Sequence, residues 1–257
     1  MTPSVEDAAR ASFGARAEHY VGSATHADPD RLARIVALTE PKGRWRVLDV
    51  ATGTGHTAFA FAPAVAWVTA VDLTQAMLDR AERVRKDRGY GNVDLQVADV
   101  HRLAFADAAF DLVTCRRAAH HFSDIAGALG EMRRVLKPGG VLMIDDRSSP
   151  EDHQADAILH RLDTLHDASH VRQYRSSEWA RMLDAAGFST RVLDEYVQDR
   201  PISAFTNAVP AADEDEVHRI VAGLTARQRQ VLNFQPGSEG REATLRHFYL
   251  TIVAERA

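Results

Sequence analysis

The sequence predicts a doubly wound α/β fold built on a mostly parallel seven-stranded sheet. Three observations carry this. Short apolar runs alternate with segments whose apolar residues recur at helical spacing, and the connections are short. The first apolar run ends in a glycine-rich turn, Ala51-Thr52-Gly53-Thr54-Gly55. The second ends in an acid, Asp72. Parallel strands joined by helical crossovers are the arrangement such alternation favours.

Val47 to Val50 is a short buried strand. Val65 to Val71 is the second, and Thr74 stands as cap of a helix bearing Met77, Leu78, Ala81 and Val84. Val93 to Val97 and Phe110 to Cys115 are the third and fourth strands. Ile125, Leu129, Met132, Val135 and Leu136 form one helical face. Lys137-Pro138-Gly139-Gly140 stops that helix before a fifth strand, Val141 to Ile144. Ser149-Pro150-Glu151-Asp152 reads as a helix start, with Ser149 as cap and Pro150 in the first turn. Ala155, Ile158, Leu159, Leu162 and Leu165 face inward from it. Ser176 caps a further helix, which Gly187 ends. Strands at about 189–198 and 245–254 complete the sheet.

The 257 residues are read as one domain spanning 1–257. Its core is about 30–147, and lid elements are expected at about 1–28, 148–175 and 199–243. A composition of 45% apolar and 26% charged residues suits a folded globular chain. Lysine and arginine number 31 against 36 acids, a net charge of −5, which argues against nucleic acid as partner. The single cysteine, Cys115, excludes an internal disulfide and any iron–sulfur cluster held by the chain's own thiolates. It reads as a small core residue. No signal peptide and no membrane-spanning run is visible, so a cytoplasmic location is expected. Monomer and homodimer both stay open.

The turn after the first strand carries the chemistry. Gly53 and Gly55 allow backbone angles other residues resist and let a ligand approach the main chain. A crevice there is where doubly wound folds bind nucleotides. Asp72, 17 residues after Gly55, can accept ribose hydroxyls. Asp49 would repel a pyrophosphate but suits a ligand bearing an amino group and a sulfonium. Asp99, followed by Val100, can accept an exocyclic adenine N–H while the apolar neighbour covers the ring. Together these suit S-adenosylmethionine better than a dinucleotide.

Asp49-Val50-Ala51-Thr52-Gly53-Thr54-Gly55, Val71-Asp72-Leu73-Thr74, Ala98-Asp99-Val100, Phe110-Asp111-Leu112-Val113 and Arg134-Val135-Leu136-Lys137-Pro138-Gly139-Gly140 resemble the successive motifs of class I S-adenosylmethionine-dependent methyltransferases. The likeness is to the branch of the ubiquinone/menaquinone C-methyltransferases, and it covers roughly residues 15–198. It implies that Ala51, Gly53 and Gly55 line the methionine portion of S-adenosylmethionine, the product being S-adenosylhomocysteine. Asp72 would hold the ribose, with Leu73 and Met77 beside the adenine. Asp99 and Val100 would hold the adenine, and Asp49 the amino end. Tyr20 would close over the cofactor. The resemblance does not choose the acceptor.

On the substrate side, Cys115-Arg116-Arg117-Ala118-Ala119-His120-His121 ends the fourth strand. His121 is the expected proton acceptor, and Arg116 is expected against either a substrate carboxylate or the cofactor. His170 or Arg172 is expected to reach the substrate from a lid. The spacing of His166 and His170 fits a helical metal pair, but no H-E-x-x-H pattern accompanies it, and no metal is expected. Arg80, Arg83, Arg85 and Arg88 read as a salt-bridged helix face. The expected reaction is methyl transfer to carbon or oxygen of a small organic acceptor. The alternatives are a non-methylating S-adenosylmethionine binder, cyclase-like or regulatory, and a dinucleotide-dependent enzyme.

Overall fold

The computed structural model describes residues 26–257 together with Glu6, Asp7, Arg10, Ala11, Phe13, Gly14, Glu18 and Gly22. Asp28 opens the first helix, α1 (Pro29–Thr39), by accepting the amides of Asp30 and Arg31 at 3.0 and 3.2 Å. Then β1 (Arg46–Val50), α2 (His56–Phe61), β2 (Trp67–Asp72), α3 (Gln75–Asp87), β3 (Val93–Val97) and β4 (Phe110–Arg116) follow. After α4 (Ile125–Val135) and β5 (Leu136–Ser149) come α5 (His153–His166), β6 (Tyr174–Arg175), α6 (Ser176–Ala185) and β7 (Phe188–Pro201). The chain closes with α7 (Ser203–Thr206), α8 (Ala211–Ala222), α9 (Ala226–Val231) and β8 (Thr244–Arg256).

The strand order is β3-β2-β1-β4-β5-β8-β7. Five strands are parallel, and β8 runs antiparallel to both β5 and β7. This is the expected sheet, with the two-residue β6 added beside the end of β5. The chain moves outward from β1 to β3, then returns to β4. The order therefore reverses between β1 and β4, and a crevice opens at their carboxyl ends.

Period-two alternation divides the core across the sheet. Leu48, Val50 and Val113 pack on one face with Leu129, Met132 and Trp179. Val47 and Leu112 pack on the other with Ile35, Phe61 and Val68. A third apolar cluster joins Leu159 and Leu162 of α5 to Phe205, Val217 and Leu245.

Several element ends differ from expectation. Asp152, not Ser149, caps α5, accepting the amides of Gln154 and Ala155. Ser149 is instead paired with Arg175 in the sheet, so strand pairing overrides a local cap signal. Arg175, not Ser176, precedes α6, and its amide donates to Glu178. The side chain of Thr74 caps nothing; Asp72 Oδ1 takes the Thr74 amide at 2.8 Å. Leu136 to Gly140 already belongs to β5, with Gly139 absorbing a φ of 68°.

Candidate active site

The floor of the site is set by a carboxylate that never reaches it. Asp49 is 1% exposed. Its two oxygens accept the hydroxyls of Thr52 and Thr114, each at 2.6 Å. Burial pushes its pKa up to about 6. Asp49 thus fastens the glycine turn to β4 from beneath. The turn itself needs left-handed backbone at Ala51, Gly53 and Gly55, with φ of 51°, 55° and 89°. At Gly55 a Cβ would overlap the ring of Phe59. At Gly53 it would meet no atom within 4 Å, so the main chain there faces open space.

Asp72 ends β2 and crosses to the turn. Its Oδ2 accepts the amide of Gly53 at 2.8 Å, and burial raises its pKa. Each oxygen takes one backbone N–H and keeps further acceptor capacity. Asp99 Oδ1 accepts the amide of His101 at 2.9 Å.

These groups bound a cleft of about 990 Å³. One wall is Ala51, Gly53, Asp72, Leu73, Met77, Asp99 and Val100. The opposite wall is Phe13, His26, Arg116, Arg117, His121 and Phe122. Arg116 Nη1 donates to the His26 carbonyl at 2.9 Å and its Nε lies 3.4 Å from Asp145 Oδ1. His121 Nδ1 lies 3.0 Å from the Ser169 carbonyl oxygen, and Phe13 meets the His121 ring edge-on at 4.9 Å.

The structure therefore brings most of the singled-out residues to one cleft, but not all. Asp49 and Gly55 support the turn without lining the cleft. His170 is buried behind the wall, its Nε2 3.4 Å from His160 Nδ1, and burial depresses its pKa to about 2. Arg172 is held away by both oxygens of Asp156, at 2.8 and 2.7 Å. Burial fixes both outcomes: a buried charge is drawn to a partner. Tyr20 lies outside the described residues. Cys115 is fully buried, and its thiol pKa is pushed up. Arg80 pairs with Glu18, and Arg85 and Lys86 pair with Glu82. Among the described residues no three His, Cys, Asp or Glu converge to hold a metal ion, and no helix is long and apolar enough to cross a membrane.

Sequence reasoning missed Phe13, His26 and the acids behind Arg116. Asp145 and Asp146 end an apolar run just as Asp72 does, and that signal was available. His26 and Phe13 carry none, because only tertiary folding sets them over the crevice.

Five imidazoles, His26, His120, His121, His170 and His247, have pKa values lowered by burial. They stay neutral in the folded chain, while the unfolded chain binds protons near the ordinary value of 6.5. Stability is therefore full above that value and falls as pH drops. Each imidazole loses about 0.8 kcal/mol between pH 7.5 and 6, and carboxylates such as Asp49 return about 0.4 kcal/mol each. A net loss of roughly 2–3 kcal/mol is expected over that interval. Urea unfolding at the two pH values checks it, and an unchanged free energy would overturn it.

A family model described as a methyltransferase domain matches residues 48–144. The chain is 39% identical over 173 residues to YcgJ of Bacillus subtilis, an uncharacterized methyltransferase, covering 67% of this chain and 68% of that protein. The crystal structure of YcgJ matches with a TM-score of 0.82 at 30% identity, covering 88% of this chain and 97% of that one. A Bacillus halodurans structure, also described as a methyltransferase, matches with a TM-score of 0.83 at 32% identity, covering 88% of this chain and 98% of that one. Similarity extends to the ubiquinone/menaquinone biosynthesis C-methyltransferase UbiE of a Geobacter species, 38% identical over 112 residues, 42% of this chain and 48% of that protein.

Proposed function

The chain belongs to the class I S-adenosylmethionine-dependent methyltransferases, and from that premise we propose that it methylates carbon or oxygen of a small organic acceptor held beside Arg116 and His121. The observation that carries this is the closed shape of the acceptor wall. Phe13 and His26, from before the sheet begins, come over Arg116 and His121 at the strand ends. A cleft of about 990 Å³ must also take the methyl donor, which leaves room for a small molecule.

The donor's half fits the residues present. Gly53 offers bare main chain to open space. Asp72 and Asp99 present acceptors on the same wall, with Leu73, Met77 and Val100 as apolar cover. In the proposed arrangement Asp72 holds ribose hydroxyls, Asp99 and Val100 hold adenine, and Ala51 to Gly53 flank the methionine portion. When bound, S-adenosylmethionine supplies a methyl group on a sulfonium.

His121 would manage the proton. The Ser169 carbonyl can only accept, so His121 Nδ1 carries the hydrogen. The lone pair therefore sits on Nε2. Burial lowers the ring's pKa, which keeps it neutral at pH 7 and ready to take a proton from a hydroxyl or an acidic carbon. His121→Ala is expected to lower kcat by roughly 10²- to 10⁴-fold and to leave S-adenosylmethionine affinity within about threefold. Single-turnover rates and calorimetric binding check it. Equal rates in both proteins would remove His121 from the chemistry.

The reading is tested with methyl-labelled S-adenosylmethionine, the purified protein and an extract of the source cells. Label in an extractable small molecule supports it. Label in RNA or protein overturns the acceptor class. Binding of the donor with no label moved favours a non-methylating role.

A further inference from the structure

The acceptor wall carries more positive charge than the protein neutralises. Arg31, Arg116 and Arg117 converge on one carboxylate, Asp145, which is fully buried. Arg31 takes Asp145 Oδ2 with two nitrogens, at 2.9 and 2.7 Å. Thr251 and Tyr196 donate their hydroxyls to the same group. That leaves the cleft-lining pair at longer range, with Nε of Arg116 at 3.4 Å and Nε of Arg117 at 3.6 Å from Asp145 Oδ1. Their side chains are 3% and 7% exposed. Arg117 Nη2 donates to the Tyr196 hydroxyl at 3.1 Å, and the guanidinium lies 4.0 Å over the Tyr249 ring. Both are neutral partners. Asp194, the next acid, is shared by Arg31 and Arg34.

Two neighbours register the excess. Arg117 and Arg116 help depress the pKa of His26 to about 3. Tyr249 ionises more readily than usual despite its burial, through Arg117, Arg147 and Arg200. The other carboxylates on the cleft are Asp72, Asp99 and Glu6. Asp72 and Asp99 belong to the donor's wall, and Glu6 takes the Ser123 hydroxyl. The backbone is bent to build the pair. Consecutive strand residues point to opposite faces. Arg117 instead stands at φ 54°, in the left-handed region, and both arginines line the same cleft. Such a conformation at a non-glycine residue marks a place where the fold holds a side chain against local preference.

We infer that the methyl acceptor binds as an anion, a carboxylate-bearing small molecule whose charge sits against Arg116 and Arg117. This rests on the methyltransferase reading above and narrows its substrate class. Burying a guanidinium without a counter-ion is costly, and a planar carboxylate matches its fork of donors. The donor's own carboxylate is the other source of the same chemistry, so the test keeps the two apart.

Calorimetry on the complex saturated with S-adenosylhomocysteine supplies the donor's carboxylate in advance. Benzoate and malonate are then titrated beside their amides, benzamide and malonamide. Carboxylates are expected to bind at least about tenfold tighter than the amides. Arg117→Gln is expected to erase that preference while S-adenosylhomocysteine affinity changes less than about threefold. Arg117→Lys keeps the charge and should keep the preference, which guards against a folding defect in the first variant. Equal binding of acids and amides overturns the proposal. A tenfold loss of S-adenosylhomocysteine affinity in folded Arg117→Gln also overturns it, because the pair would then clamp the donor. If S-adenosylhomocysteine itself fails to bind the unaltered protein, the donor site is what falls.

Discussion

Asp72→Ala is expected to weaken S-adenosylmethionine binding by roughly 10- to 150-fold, the worth of a lost charge-assisted hydrogen bond. The carboxylate ends β2, is 8% exposed and stands on the cleft wall. It also organises that wall. Gly53 N–H and Thr74 N–H both donate to it at 2.8 Å, so its removal frees the turn at one end and the start of α3 at the other. Asparagine is no rescue: its amide would set a donor against one of these two N–H groups. The measurement is calorimetry with S-adenosylhomocysteine on a variant shown to be folded. An unchanged dissociation constant would falsify the assignment of Asp72 to the donor.

Gly55→Ala should damage the fold rather than a contact with the ligand. The residue sits at φ 89°, where an L side chain is strained, and its Cβ would run into Phe59. Phe59 has little freedom to move away. It is 4% exposed and stacks on Tyr90 at 4.8 Å with the rings 5° from parallel. Left-handed strain and overpacking together cost about 2–5 kcal/mol. For a chain of this size that is a fall in Tm of roughly 5–15 °C. Thermal unfolding followed by circular dichroism checks it, and a fall below about 2 °C would show that the turn can relax.

Much of the donor half of the site is legible in the sequence because its chemistry is local. Ala51, Gly53, Asp72, Leu73, Met77, Asp99 and Val100 each end a strand or open the element after it. An apolar run that stops at an acid or at glycines announces a strand end facing ligand. The doubly wound order then gathers those ends at one edge, and the structure places all seven on one wall. Gly55 was legible as a turn residue, but its reason is Phe59 behind it, one helical turn away.

The acceptor half was legible only in part. Arg116 and His121 stand at the end of an apolar strand and reach the cleft as that position suggests. His170 and Arg172 have the same chemistry in sequence, yet one lies against His160 and the other is clasped by Asp156. Which charged side chain meets substrate and which meets a buried counter-ion is decided between elements far apart in the chain. Asp49 shows the same limit. As a sequence feature it is an acid before a glycine turn, suited to a ligand's amino group. Thr114, 65 residues on, turns it inward instead.

Local pattern therefore determined the sheet, the turn and the donor's acids, since strand periodicity and glycine angles act over a few residues. Tertiary structure alone decided the charge balance behind Arg116 and Arg117. It also decided the closing of the cleft by Phe13 and His26. Coulomb energy and desolvation depend on distance in space, and the sequence does not state which carboxylate comes to rest beside which guanidinium.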